Sequence, residues 1–414
     1  MATCLTSTDC FEDQIEESLT SLGSENSMGK NILFVGVAYY PNVGYGGPIR
    51  AMRSYGLGLT SLGHKVTIYC SNLVNHQHKK RMADYTVEAK RDGMRIVYMN
   101  TDLCLSAGLT ISLDLLRYLR REISSYDAVH LCGPRNFFVS MAGVYARKYR
   151  IPYFIHPMGS ISYAKSKVAL KFIWDILFGR RFIYGAKYIA ESTDEQVKDL
   201  LAFGIPKSKI AVVPWSPDPA LVCFQVQRGR FREKIGVSLD DKVILFLGRI
   251  HRKKRLDLVI RALGCLGQAN VRLVVVGHDD DGSLEHLKTL VAELKLEKQV
   301  IWAGPIHSPE SAMAYRDADV FVLISQLESA PMALLEACSM GVPVLISDHT
   351  GMSEMIHNRA GLVVEMTPEA VASGLSVLTQ NEKLCRQYAI GGQELIAQNF
   401  SAEVVGSKLT SLYE

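Results

Sequence analysis

The sequence predicts two doubly wound α/β domains in tandem, and three observations carry that expectation. At 414 residues the chain is too long for a single hydrophobic core. Short Val/Ile/Leu-rich runs alternate with segments of helical period, which is the pattern of a parallel sheet wrapped on both faces. The pattern starts at Asn31, breaks at VVPWSPDPALV, where three prolines fall within six residues, and begins again beyond it.

In order along the chain, residues 1–29 carry six acids and no base and lack an apolar run. They read as a disordered tail rather than a secretory leader. Residues 30–207 form the first domain: ILFVG is a strand, YYPNVGYGGP a glycine-rich loop, and IRAMRSYGLGLTSLGHKVTIYC a helix and a second strand. YDAVHLCG and IPYFIHPMG are further strands that end in polar loops. Residues 208–392 form the second domain, with strands expected at KVILFLG, VRLVVVG, QVIWAG, ADVFVLIS and VPVLIS. Between two of them, SLEHLKTLVAELKL places Leu284, Leu287, Leu290, Val291 and Leu294 on one helical face. Residues 393–414 read as a C-terminal helix that packs back on the first domain, with a hinge near 205–218.

Composition is that of a globular protein, and charge is uneven along it. The tail nets −6, residues 30–207 net +13 and residues 208–414 net −3. A basic half suits a phosphate-bearing or membrane-surface partner, although lysines and arginines also simply solvate helices. The nine cysteines show no CxxC pair, which fits reduced thiols, a cytoplasmic setting and no bound metal. The segment 162–188 interleaves six cations with Phe172, Trp174, Ile176, Phe178 and Phe182. It suits a helix at the inner face of an anionic membrane, and equally an ordinary amphipathic helix.

Ligands of doubly wound sheets bind beyond the C-terminal ends of the strands, so the loops there carry the candidate chemistry. After LFLG come five cations within seven residues, Arg249 to Arg255, expected to open a helix. Free amides and the positive end of a helix dipole suit a diphosphate there, and a solvated basic turn is the plain alternative. In ESAPMALLEACSMGVPVLIS, Glu336 is the only charge between Ser329 and Ser347. A carboxylate in so apolar a run needs a partner, and vicinal hydroxyls are one that it can grip with both oxygens. Half of a buried ion pair is the other. Pro331 suits the first turn of a helix, which places Glu328 in the preceding loop and the amides of Met332 and Ala333 at its start. Asp279 and Asp281 have the spacing of a metal-binding DxD, but a strand-to-helix turn favours capping roles.

LGRIHRKKRLDLVIRAL, VVVGHDDDGSLEHLKTLV, VIWAGPI and ESAPMALLEACSMGVPVL resemble the signature segments of the retaining GT-B glycosyltransferases of the "glycosyl transferases group 1" family. The resemblance covers about residues 31–414 and implies two Rossmann-like domains facing a central cleft. It implies a metal-independent enzyme without a cofactor, active in polysaccharide or glycoconjugate biosynthesis. Such an enzyme moves a sugar from a UDP- or GDP-sugar to a hydroxyl of a glycan, glycolipid or small molecule, and binds no nucleic acid. By the same resemblance Arg249 and Lys254 hold the donor diphosphate, Glu336 the ribose hydroxyls, and Glu328 the donor sugar near the reacting carbon. Pro305 and Ile306 lie in the backbone segment that reads the base, and Gly46 and Gly47 in the loop that closes over the phosphates. Acceptor binding falls to the first domain and donor binding to the second.

Three departures stand out. Arg255 replaces a glycine after the lysine, and Trp215-Ser216 replaces Asn-Gly. Met158 stands where a histidine or arginine is usual. His156, two residues earlier, is then the expected sugar-contacting histidine, or else a packed strand-end residue; His130 is a lesser candidate. A nucleotide-sugar 2-epimerase, which needs no acceptor, and a non-catalytic nucleotide-sugar-binding partner of a glycan-assembly complex are the alternatives. A dehydrogenase is disfavoured because GYGGP lacks the full GxGxxG pattern.

Overall fold

The computed structural model describes residues 29–42, 47–75, 79–106, 109–133, 135–158, 161, 174, 180–218, 221, 224, 227–306, 310–328 and 330–414. The acidic tail up to residue 28, Gly46 and most of the segment 162–188 lie outside them. No helix among the described residues is long and apolar enough to cross a membrane. The chain divides into two compact units, one ending at Trp215 and including Ala402–Glu414, the other spanning Ser216–Ser401.

The first unit is built on an eight-stranded sheet. Its order is Ile210–Val212, Tyr188–Glu191, Tyr153–His156, Ala128–Cys132, Asn31–Val35, Lys65–Ser71, Met94–Met99 and Val87–Arg91. All neighbours run parallel except the Val87–Arg91 edge strand, which is antiparallel to Met94–Met99. The central strands are continuous hydrophobic runs because both faces are covered: Ile32, Leu33, Phe34 and Val35 are all fully buried. Separate apolar clusters pack on the two faces.

The last helix, Ala402–Tyr413, belongs to this unit and lies against the Gly47–Ser61 helix. A side chain on Gly58 would place its Cβ 2.1 Å from the Ala402 carbonyl oxygen, so glycine sets the closeness of the crossing. Val405, Leu409 and Tyr413 join the core beneath, and the contact is pinned at its edges. His64 Nε2 meets the Thr410 hydroxyl at 2.9 Å, Lys30 Nζ donates to the Tyr413 carbonyl at 2.8 Å, and the Tyr413 hydroxyl meets His130 Nδ1 at 2.7 Å. The segment 393–414 is thus two helical pieces. Residues 393–399 complete the Glu382–Asn399 helix of the second unit, and the chain crosses to the first at Ala402.

The second unit has six strands, all parallel, in the order Val300–Gly304, Val271–Val276, Lys242–Leu247, Val320–Leu323, Val344–Ser347 and Gly361–Val364. The first five are those expected. The sixth, GLVV, is short, and its Gly361 lies so close to the neighbouring backbone that a Cβ would sit 1.8 Å from the Val344 carbonyl oxygen. The helix between the second and third strands in sequence is Ser283–Glu293, with Leu287, Leu290 and Val291 buried. Leu294 falls just past its end and is partly exposed.

Two histidines lie fully buried inside the first unit. His130 stacks on Phe34 with ring centroids 4.6 Å apart, and His156 stacks on Tyr55 at 5.3 Å. Burial holds His156 neutral, with its pKa pushed down to about 3; burial, followed by the neighbouring His156, lowers that of His130 as well. In the unfolded chain both protonate near pH 6.5 (roughly), so stability from the neutral rings is complete above that pH. It is lost as pH falls from there toward about 3 for His156, at about 1.4 kcal/mol per pH unit for each ring. Hydrogen exchange of the strands Ala128–Cys132 and Tyr153–His156 should accordingly quicken as pH drops below about 6.5, after correction for intrinsic exchange. His156→Phe keeps an aromatic ring on Tyr55 and should flatten that acid limb; an unchanged limb would show that His156 does not set it.

Candidate functional site

In the second unit, backbone hydrogen bonds tie the loops leaving the sheet into a continuous rim at one edge. Gly277 N donates to the Gly304 carbonyl at 3.0 Å, Ile250 N to His278 at 2.8 Å, and Asp280 N to Ile250 at 2.9 Å. Gly277 allows this: a Cβ there would stand 1.8 Å from the Gly248 carbonyl oxygen. The Lys253 carbonyl accepts from Gln326 N at 2.9 Å and from the Ser325 hydroxyl at 3.1 Å. Ser347 Oγ, buried, bonds both the carbonyl and the amide of Ser325, and Gly351 N donates to the Glu328 carbonyl at 2.7 Å. Arg249, Lys254, Glu328 and the exposed Pro305 with half-buried Ile306 are therefore carried on one edge.

The cations do not open a helix, which corrects the sequence expectation. Arg252–Lys254 form a single 3-10 turn capped by His251, and the Leu256–Leu266 helix begins only after them. Arg255 links the two in the left-handed region, at φ 44°. That is the conformation a glycine would adopt freely, and the arginine is held in it by a two-pronged bond to Asp257 at 3.0 and 2.9 Å. Arg249 donates to Asp280 at 2.7 Å and remains well exposed, while Lys254 forms an ion pair with Glu328.

The acidic loop is occupied locally. Asp279 accepts from Gly282 N at 2.9 Å and Ser283 N at 3.1 Å, as a turn and cap residue does. Asp281 accepts from the Ser283 hydroxyl and from Arg252, and these two bonds hold its carboxyl below the usual carboxylate range. No group of three potential metal ligands occurs among the described residues.

Glu336 sits in the second turn of the Met332–Ser339 helix, fully buried. Pro331 is the residue before that helix rather than within its first turn, and no side chain caps the start. Met332 and Ala333 supply the first helical amides. The carboxylate Oε2 accepts from the Tyr315 hydroxyl at 2.8 Å. Sequence reasoning missed Tyr315. Its one signal was a polar tip on the apolar stripe of SAMAYRD, where Ala312, Ala314 and Tyr315 are all buried.

Two first-domain candidates are placed differently from expectation. Gly47 begins the Gly47–Ser61 helix, and a Cβ on it would lie 2.8 Å from the Trp215 ring. Its need for glycine is thus already met by Trp215, one of the departures seen in the sequence. His156 ends its strand wholly buried, and neither ring nitrogen has a hydrogen-bond partner among the described residues. It faces Tyr55 and His130 and, like Glu336, is wholly buried. Met158 has φ 55°, a left-handed geometry unusual for a side chain of its size.

Comparison with known proteins bears on the family and the fold. The family model "Glycosyl transferases group 1" matches residues 227–395, and the model "Glycosyl transferase 4-like domain" matches residues 46–215. An uncharacterized glycosyltransferase of Methanocaldococcus jannaschii, MJ1607, is 28% identical over 55% of this chain and 58% of its own. A D-inositol 3-phosphate glycosyltransferase of Kineococcus radiotolerans is 30% identical over 52% of this chain and 53% of its own. The chain thus spans about half the length of these curated relatives (roughly so by matched segment). Among solved structures, sucrose-phosphate synthase from Thermosynechococcus elongatus superposes with a TM-score of 0.67 at 18% identity, over 93% of this chain and 98% of its own. Anabaena Alr3699/HepE in complex with UDP and glucose gives 0.69 at 14% identity, over 92% and 98%. The two folds are alike, two Rossmann-like domains of the GT-B type. One family model thus falls on each unit: residues 227–395 match the glycosyl transferases group 1 family, and residues 46–215 match the glycosyl transferase 4-like domain.

Proposed function

We propose that this protein is a glycosyltransferase that takes a sugar from a nucleoside-diphosphate sugar and transfers it to an acceptor hydroxyl with retention at the anomeric carbon. One observation carries the reading. Two cations and a carboxylate, Arg249, Lys254 and Glu328, share the rim of the second sheet, and the adjoining helix holds Glu336 buried and oriented. On this reading Glu336 receives the ribose diol, and the Met332 and Ala333 amides meet the diphosphate or a sugar hydroxyl. Pro305 and Ile306 border the base. UDP- and GDP-sugars are the donor classes, and the acceptor is a glycan, a glycolipid or a small molecule bound by the basic first domain.

The chemistry follows from charge. The bond from the anomeric carbon to the diphosphate oxygen breaks, leaving negative charge on the diphosphate. Arg249 and Lys254 stabilise that charge as it develops. The acceptor oxygen bonds to the same carbon on the same face, and its proton passes to the departing phosphate oxygen. In the structure Lys254 is neutralised by Glu328. Drawing it to a diphosphate costs little, between about 1 kcal/mol for an exposed pair and about 3 kcal/mol for a buried one. It also leaves the Glu328 carboxylate beside the sugar.

A thermal-shift panel of UDP, GDP, ADP and their sugars tests the reading. A nucleotide at about 100 times its dissociation constant should add about 2.7 kcal/mol of stability to the wild type and much less to Glu336→Ala. Equal stabilisation of both proteins would remove Glu336 from the site. With the donor so identified, Arg249→Ala and Lys254→Ala should each lower kcat by about 10²–10³-fold. EDTA should leave turnover unchanged; a strong loss would overturn the metal-independent part of the mechanism.

A further inference from the structure

We infer that Tyr315 is a positioning residue for the Glu336 carboxylate, and through it sets how sharply the second domain separates a ribonucleotide from one lacking the ribose diol. The inference rests on the reading that Glu336 receives that diol. Tyr315 is fully buried, and its hydroxyl lies 2.8 Å from Glu336 Oε2 and 3.3 Å from the Ala333 carbonyl oxygen. A phenol carries one proton, and the nearer, charged acceptor takes it. The donated bond fixes one carboxylate oxygen, hence the plane of the group and the directions of its remaining lone pairs.

The tyrosine is itself held firmly. Its ring packs against Phe321, with centroids 6.1 Å apart. Two residues on, the Asp317 carboxylate ends the same helix and accepts from the amides of Gly229, Phe231 and Arg232 at 2.5, 2.7 and 3.0 Å. The guanidinium of Arg232, among the largest fully buried side chains, donates to the Asp317 carbonyl and to Asp319. A glutamate left to itself loses rotamer freedom when a ligand fixes it. Here that loss is taken on folding, because a side chain with only two torsions, set in a clamped helix, holds the carboxylate in advance.

The test is calorimetric titration of the full chain with UDP and GDP and with their 2′,3′-dideoxy counterparts. The wild type should prefer the ribonucleotide, and Tyr315→Phe should shrink that preference by about tenfold while binding the dideoxy form as before. Glu336→Gln should remove most of the preference, and adding Tyr315→Phe to it should change little. Both affinities come from one preparation, so a partly unfolded sample cancels in the ratio. If Tyr315→Phe keeps the wild-type ratio, the positioning role is overturned and the reading of Glu336 stands. If the wild type binds neither form, or both equally, the reading of Glu336 falls and this inference falls with it.

Discussion

Six strands that all run the same way must release their following loops at the same edge, and the chemistry of the second domain depends on that constraint. Parallel strands alone bring the loops near one another. What aligns them is the chain of backbone and serine hydrogen bonds from Gly304 through Gly277, Ile250, Lys253 and Ser325 to Glu328 and Gly351. Each link satisfies a peptide group that would otherwise be poorly paired near the end of a strand. The rim is therefore held by the same accounting that stabilises the fold, and the charged side chains it carries are set in place by it.

Charge at this rim is balanced locally. Arg249 has Asp280, Arg252 has Asp281, Lys254 has Glu328 and Arg255 has Asp257. Pairs of this kind add at most about 1 kcal/mol each where solvent reaches them. Their value lies in keeping a dense basic turn compatible with a nearly neutral domain until an anion arrives. Glu336 is the exception. It is fully buried, where an uncompensated carboxylate would cost several kcal/mol (roughly, after relaxation), and the fold supplies the Tyr315 donor.

In the first domain two distant positions are matched in size. Trp215 stands against Gly47 at the start of the glycine-loop helix, so a larger residue at one site is met by the absence of a side chain at the other. The C-terminal helix packs on that same glycine-loop helix, with Tyr413 reaching His130. His130 and His156 then belong to a packed interior, which explains why a strand-end histidine that looked chemical in the sequence has no exposed surface.

The sequence by itself determined the architecture and the identity of most candidate residues. Short Val/Ile/Leu runs bounded by glycines and alternating with helical segments read as strands buried on both faces, and a lone glutamate in an apolar helix has to be held by something. These are local facts, readable from spacing and transfer cost. Only the tertiary structure decided the partners. That Lys254 meets Glu328, that Tyr315 holds Glu336, and that His156 faces Tyr55 each depend on side chains far apart in the chain, brought together by strand order and helix packing. The placement of the cations before their helix was decided in the same way. Arg255 adopts a left-handed turn that its own preference disfavours, and its bond to Asp257 holds it there.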